Sequence, residues 1–282
     1  MKSKNIIAII VALCSVFIGV FIVAVSLVSI DFDLSKLDTR NVTEKTYEIK
    51  DDFNSINMNG MELDVNLELS QDGECKVLCR QPERLSIGVE VENGALNISK
   101  VDNRKWYDFI GIYTFENLEI TLYLPKTQYE SIKISGSTCD VTIPEQFTFG
   151  QARISLSTGD IFIYGKVNGD LNATTNTGDI ALCGLTPKNI TLQSDTGDIV
   201  LKETVALENI KIDADTGDIE LEDCDAESLY LTADTGDISA TLLSGKTFKA
   251  ESNTGDVTAP ASAEGGVCEA KTHTGDIYIK VK

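Results

Sequence analysis

The chain has 282 residues, with 44 Asp and Glu against 24 Lys and Arg for a net charge of -20, one His, seven Cys and 42% hydrophobic residues. That acidic surplus excludes a nucleic-acid partner, because phosphate binding needs clustered Lys and Arg; a single His excludes multi-His metal sites and most His-based catalysis. The length admits one or two cored domains.

Residues Ile6 to Ile30 carry no charge. As a helix rising about 1.5 Å per residue, the run reaches roughly 37 Å, more than a hydrocarbon core of about 30 Å. A single transmembrane helix is therefore expected over 6–30. Lys2 and Lys4 precede it, and Asp31, Asp33 and Asp38 follow. The positive-inside rule then places residues 1–5 in the cytoplasm and everything after the span outside the cell membrane. The competing reading is a cleaved signal peptide ending at Ala24-Val25-Ser26, although the apolar stretch of such peptides runs only about 7 to 15 residues. Residues 31–46 are polar and read as a stalk.

A repeat dominates the rest. Thr-Gly-Asp occurs seven times, each followed by Ile or Val, with its glycines at Gly159, Gly178, Gly197, Gly217, Gly236, Gly255 and Gly275. Their spacings are 19, 19, 20, 19, 19 and 20 residues. Ser137-Thr138-Cys139-Asp140-Val141 reads as a degenerate eighth copy with Cys in the Gly slot. Aligned on the Asp, apolar residues recur eight and six positions before it (Ile190 and Leu192, Ile210 and Ile212) and one and three after it (Ile199 and Leu201, Ile219 and Leu221). The positions between are mostly polar, as at Lys133, Arg153, Asn172, Thr191 and Lys211.

Period-two alternation means strands with one buried face. Two short strands per repeat, without a helical stretch between them, predict an all-β, single-stranded β-helix or β-solenoid, in which each unit buries its stripe only by stacking on the next. Residues 126–282 read as regular coils, and 47–125 as an irregular N-terminal continuation containing an aromatic insertion over 100–116. Ile277 to Lys282 stops in mid-strand, where Lys280 and Lys282 suit an exposed edge.

The turn motif has a structural explanation. Asn or Asp favours the first turn position, Gly supplies positive φ, and the following Asp caps backbone N–H groups. This assigns turn roles to Gly159, Asp160, Gly178, Asp179, Gly197, Gly217, Gly236, Gly255, Asp256, Gly275 and Asp276. The Asp-Thr-Gly of aspartic proteases is spelled at Asp195, Asp215 and Asp234, but the same slot holds Ser157, Asn176, Asn253 and His273 in other copies. Protease chemistry is therefore rejected.

Calcium is the alternative use of these acids. Stacked carboxylates repel by about 1 kcal/mol per neighbouring pair in water, and Asp195, Asp198, Asp215, Asp218, Asp234 and Asp237 form the densest candidate site for a hard cation. Ile212 to Gly245 holds ten acids and no base. A calcium-stiffened rod and a wall-polysaccharide enzyme with paired carboxylates are the two rivals to a plain binding module. The repeated turn columns single out no acid or base, so the expectation is no enzyme. The cysteines do not match at positions one coil apart and read as small buried hydrophobes. Trp106, Tyr107, Phe109, Tyr113 and Phe115 crowd the unrepeated insertion and form a candidate patch for a glycan or protein ligand.

From Tyr47 onward the chain resembles the bacterial putative-adhesin family, a domain of unknown function found in membrane-anchored β-strand-repeat proteins. The shared pattern is Leu118-Glu-Ile-Thr-Leu-Tyr-Leu-Pro125, then Ile132-Lys-Ile134, then the repeated Thr-Gly-Asp-Ile turns. The resemblance implies a β-helix on a bacterial cell surface, an adhesin-like or scaffolding role, and a link to envelope stress. It carries no catalytic residues and no cofactor.

Overall fold

The computed structural model describes residues 3–29, 32, 42–82, 85–102, 118–263 and 265–282. A helix, α1 (Ser3–Ser29), precedes β1 (Val42–Ile49), β2 (Ser55–Met61), β3 (Asp64–Leu69), β4 (Cys75–Pro82), β5 (Leu85–Glu92), β6 (Ala95–Asp102) and β7 (Glu119–Leu124). Strand pairs follow: β8 (Gln128–Thr138) with β9 (Val141–Ile143), and β10 (Thr148–Thr158) with β11 (Ile161–Ile163). After the short β12 (Lys166–Val167) come β13 (Asp170–Thr177) with β14 (Ile180–Cys183), β15 (Asn189–Thr196) with β16 (Ile199–Lys202), and β17 (Asn209–Thr216) with β18 (Ile219–Cys224). The remaining pairs are β19 (Ser228–Thr235) with β20 (Ile238–Leu242), β21 (Thr247–Thr254) with β22 (Val257–Thr258), and β23 (Val267–Thr274) with β24 (Ile277–Val281).

In every pair from β8 onward, the first strand ends on the motif Thr and the second opens on the residue after the Asp. The first strands join one twelve-stranded sheet and the second strands another. The chain thus runs once through each sheet per repeat, and successive repeats pair in parallel and in register, as in Ile190↔Ile210 and Ile199↔Ile219. Side-chain alternation decides which face is inside. In β17, Ile210, Ile212 and Ala214 are buried while Lys211 is exposed. Like residues stack on like: Ile161, Ile180, Ile199, Ile219, Ile238 and Ile277 form one buried column. Each contributes about 1.5–3 kcal/mol relative to an exposed side chain. The architecture is the all-β solenoid expected from the repeat.

The strand order departs from simple progression at both ends. β2 lies between β6 and β8, and β3 between β7 and β9, so the first coil sits inside the second. At the other end, β23 lies between β19 and β21, and β24 between β20 and β22. The outermost coil there is Thr247–Thr258. The mid-strand edge expected at Ile277–Lys282 is corrected in part: β24 pairs along its length with β20 but with β22 only at Ile277 and Tyr278, so Ile279–Val281 keep an open side, and Lys282 Nζ reaches Asp223 at 2.7 Å.

The expectation of a single-stranded helix throughout is corrected for 47–125. β1 pairs antiparallel with β4, and β4 with β7, while β5 and β6 form an antiparallel hairpin. Asn93 and Gly94, with φ of 52° and 76°, supply the two positive φ values of a tight hairpin turn. The stalk is also shorter than 31–46, because Val42 to Thr46 pair with Pro82 to Leu78 as part of β1. Among the described residues the regular repeats carry no such antiparallel strands; those of 42–124 cap the end of the solenoid nearer the N-terminus.

α1 forms where a helix was expected, but the expected membrane span over 6–30 is not established by it. Among the described residues no helix is long and apolar enough to cross a membrane. The candidate patch Trp106, Tyr107, Phe109, Tyr113 and Phe115 lies outside the described residues.

Candidate functional site

The Thr-Gly-Asp turns stack along one corner of the solenoid. Their glycines have φ between 135° and 150°, the left-handed side that favours Gly. Conformation is only half the requirement. A Cβ on Gly217 would lie 2.1 Å from the Gly197 carbonyl oxygen, and one on Gly236 would lie 2.0 Å from that of Gly217. The approach is this close because each Gly N–H with a further coil beside it donates to that coil's Thr carbonyl, as Gly197 does to Thr216 at 2.9 Å. Cys139 fills the Gly slot of the degenerate copy. It needs neither property: its φ is not positive, its side chain is buried, and burial pushes its thiol up to about 12.

The aspartates form a hydrogen-bonded ladder. Asp198 Oδ1 accepts the N–H of Asp218 at 2.8 Å, Asp218 Oδ1 accepts that of Asp237 at 2.8 Å, and the pattern begins at Asp64, which accepts from Asp140 at 2.9 Å. Its far end follows the exchanged coil order, with Asp276 donating to Asp237 and Asp256 to Asp276, each at 2.7 Å. Charge-assisted bonds of about 1.5–3 kcal/mol each offset the repulsion between stacked carboxylates. At Asp64 burial raises the carboxyl above its usual range, opposed by the Asp140 N–H and reinforced by the charges of Asp140 and Glu119.

Inside the same corner hydroxyls stand beside the ladder in two stretches, Thr175 with Ser194 and Thr272 with Ser252, separated by Ala214 and Ala233. Thr175 and Ser194 donate their hydroxyls to the carbonyls of Gly159 and Gly178 at 3.1 Å, Thr272 donates to Gly236 at 3.0 Å and Ser252 to Gly275 at 2.8 Å. Reading the repeat for apolar columns missed these residues. The signal was present as Ser or Thr at an inward position four residues before the Asp.

Asp195, Asp215 and Asp234 stand in a second, outer column beside the ladder, at the surface. Exchange of the coils brings His273 next to Asp234, since Ala233 pairs with Thr272 and Thr235 with Thr274. Of the six candidate calcium ligands, Asp198, Asp218 and Asp237 each commit Oδ1 to a neighbouring amide. Among the described residues no three acidic, His or Cys side chains converge as a metal site. The acids form a stripe along the rod.

The end near β1 carries a cleft of about 440 Å³ whose lining includes Ile49, Phe53, Cys75, Lys126 and Tyr129. Tyr129 stacks between Phe53 at 5.7 Å and Phe149 at 5.9 Å, and burial pushes its hydroxyl up to about 12. The repeat gives no hint of this cleft, which joins residues from β1, β4 and β8 across more than one coil. Midway along the rod, Phe162, Tyr164, Ala181, Cys183 and Val200 form a partly exposed apolar patch on the sheet of second strands.

Stacked coils, in-register ladders and turns that serve backbone bonding define a repeat-built, rod-like β-solenoid that presents broad faces. The chain belongs to the family described as Toastrack DUF4097, whose profile matches residues 53–185 and again 163–282. Three crystal structures share the fold. One is a putative adhesin from Bacteroides fragilis, with 20% identity, TM-score 0.55, and coverage of 86% of this chain and 98% of that one. The second is a putative adhesin from Parabacteroides distasonis, with 17% identity, TM-score 0.54 and the same coverages. The third, described as a putative lipid binding protein from the same species, has 17% identity, TM-score 0.53, and coverage of 84% and 98%. No curated protein sequence matches the chain.

Proposed function

We propose that this chain is a non-enzymatic, adhesin-like binding or scaffolding module of a bacterial cell envelope. In this reading α1 tethers it to the membrane, with the N-terminus in the cytoplasm and the solenoid outside. The observation that carries the reading is the use of the repeated carboxylates. Each ladder Asp holds the next coil in register, so the acids most suggestive of acid/base or metal chemistry serve the rod itself, and recognition falls to its outward faces. The charge-free run Ile6–Ile30 supports the tether, as do the fully outward side chains of Phe17 and Phe21, 74% and 69% exposed. The shared fold with structures described as putative adhesins supports the binding role.

Two experiments test this. In cells expressing the full chain, the protein is expected in the membrane fraction, with the solenoid removed by protease added outside; a soluble, protease-protected chain overturns the tether. Residues 31–282 are expected to bind immobilised envelope glycans or whole bacteria without altering them. Release of glycan fragments, lost on substituting one carboxylate pair, would make the chain an enzyme instead. Ca²⁺ and Mg²⁺ at equal ionic strength are expected to raise the melting temperature equally, by screening the charge of -20. A Ca²⁺-selective rise abolished by Asp198→Ala would restore the metal-stiffened rod.

A further inference from the structure

The coil Val267–Val281 occupies a slot that two earlier coils of the same chain leave open. On one side Gly236 N–H donates to Thr274 O and Ile238 N–H to Asp276 O, both at 2.9 Å. On the other, Gly275 N–H donates to Thr254 O at 3.0 Å and Ile277 N–H to Asp256 O at 2.9 Å. These are the bonds that any interior coil makes, such as Gly197 to Thr216 and Ile199 to Asp218, both at 2.9 Å. The slot therefore recognises the Thr-Gly-Asp-Ile pattern with small or β-branched inward residues, here Cys268, Ala270, Thr272, Ile277 and Ile279.

A separate bridge spans the slot. Lys246, at the entrance to β21, places Nζ 2.7 Å from Asp225 Oδ1 at the entrance to β19, with side chains only 7% and 15% exposed. Those two strands are separated by β23, roughly two strand spacings or ~10 Å in all. The bridge ties the outer wall of the slot to the inner one through groups that do not belong to the inserted coil. The inserted chain passes this level at Gly265 and Gly266, where a Cβ would lie 2.6 Å from Gly245 O and 1.6 Å from Glu227 O. Only the connection between β22 and β23 specifies that the occupant comes from the same chain.

We propose that the gap between β19–β20 and β21–β22 is a strand-acceptor site, and that the partner it fits is a second copy of this chain donating its own Val267–Val281 coil. Reciprocal donation closes with two-fold symmetry and creates no contact absent from the single chain, which is why exchanging an identical element is a low-cost route to a dimer. The dimer joins two rods at the ends remote from the β1 cap.

The test uses the full chain in detergent. Deleting Pro260–Ala263 shortens the interval from Gly255 to Gly275 from 20 residues to 16, below the 19 or 20 of every other coil, so the coil no longer reaches its own slot and the mass measured by light scattering is expected to double relative to the parent chain with strand content unchanged. A shortened chain that stays folded at the parent's mass overturns the proposal. In a second measurement, a protease site between Ala261 and Ser262 is cut after folding, and the nicked chain is cycled through mild denaturant with a fluorescent peptide of residues 264–282. Uptake is expected in the nicked chain, at least tenfold less for peptide carrying Asp276→Ala, and none in the intact chain. No uptake by the nicked chain, or equal uptake by the intact one, overturns the proposal.

Discussion

Substituting Gly217 by Ala tests whether the motif glycine is chosen for its turn or for the distance between coils. Two costs add at this position. The φ of 145° is sparsely populated for any residue with a Cβ, at about 1–3 kcal/mol. The new Cβ would also lie 2.1 Å from Gly197 O and 2.6 Å from Gly197 C. Those atoms belong to a backbone held on both sides by the hydrogen bonds of its own coil. Relieving such overpacking costs another ~1–3 kcal/mol. The expected total is roughly 2–6 kcal/mol, or a fall in melting temperature of roughly 5–20 °C for a domain of this size. Gly184 is the control, because it too has positive φ, 73°, but nothing within 4 Å of its Cβ position. Gly184→Ala is expected to show the conformational cost alone, about 1 kcal/mol. The assay is thermal unfolding of residues 31–282 followed by circular dichroism. Equal shifts for the two variants would refute close coil approach as the reason for the glycine.

Lys246→Ala leaves Asp225 buried without its cation and is expected to destabilise residues 31–282 by about 3–5 kcal/mol, whereas Lys246→Met combined with Asp225→Leu stays near the parent; urea unfolding distinguishes them. Asp64 gives a pH signature. Its carboxyl is raised in the folded protein, so its contribution to stability is complete below the unfolded value near 3.8 and is lost as pH rises through the folded one. Asp64→Asn keeps the acceptor for the Asp140 N–H, and is expected to melt higher than the parent at pH 7, with the gain vanishing toward pH 3 in paired melts. Burial pushes the thiols of Cys79 and Cys139 up to about 12 and those of Cys75, Cys224 and Cys268 up to about 11. Against a thiol reagent acting on residues 31–282, half-buried Cys183 is expected to react first and these five buried thiols only on unfolding.

The candidate surfaces were unequally legible. The two acidic columns follow from residue spacing alone, because a period of 19 or 20 residues forces equivalent positions to stack. What the spacing did not reveal is that Asp198 and Asp218 face the amide of the adjoining coil and spend Oδ1 on a backbone ladder. The Thr175–Ser194 hydroxyl column was visible as a break in an apolar pattern. The cleft at Tyr129 was not, because β1 and the β4 turn reach it through antiparallel pairing that the repeat does not encode.

The repeat by itself determined the coil, the inward residues, the positive-φ glycines and the all-β class, since period-two alternation and a fixed turn leave a half-buried strand pair no other partner than its own copies. Only the tertiary structure decided the order in which those copies stack. Every coil offers the same Thr carbonyl, Gly amide and Asp carboxylate to its neighbours, so local contacts scarcely distinguish a coil placed next in line from one placed a step further on. Features outside the motif accompany the chosen order: the Lys246–Asp225 bridge across the slot, the glycine pair at 265 and 266 that lets the chain slip back inside, and the antiparallel strands that close the opposite end.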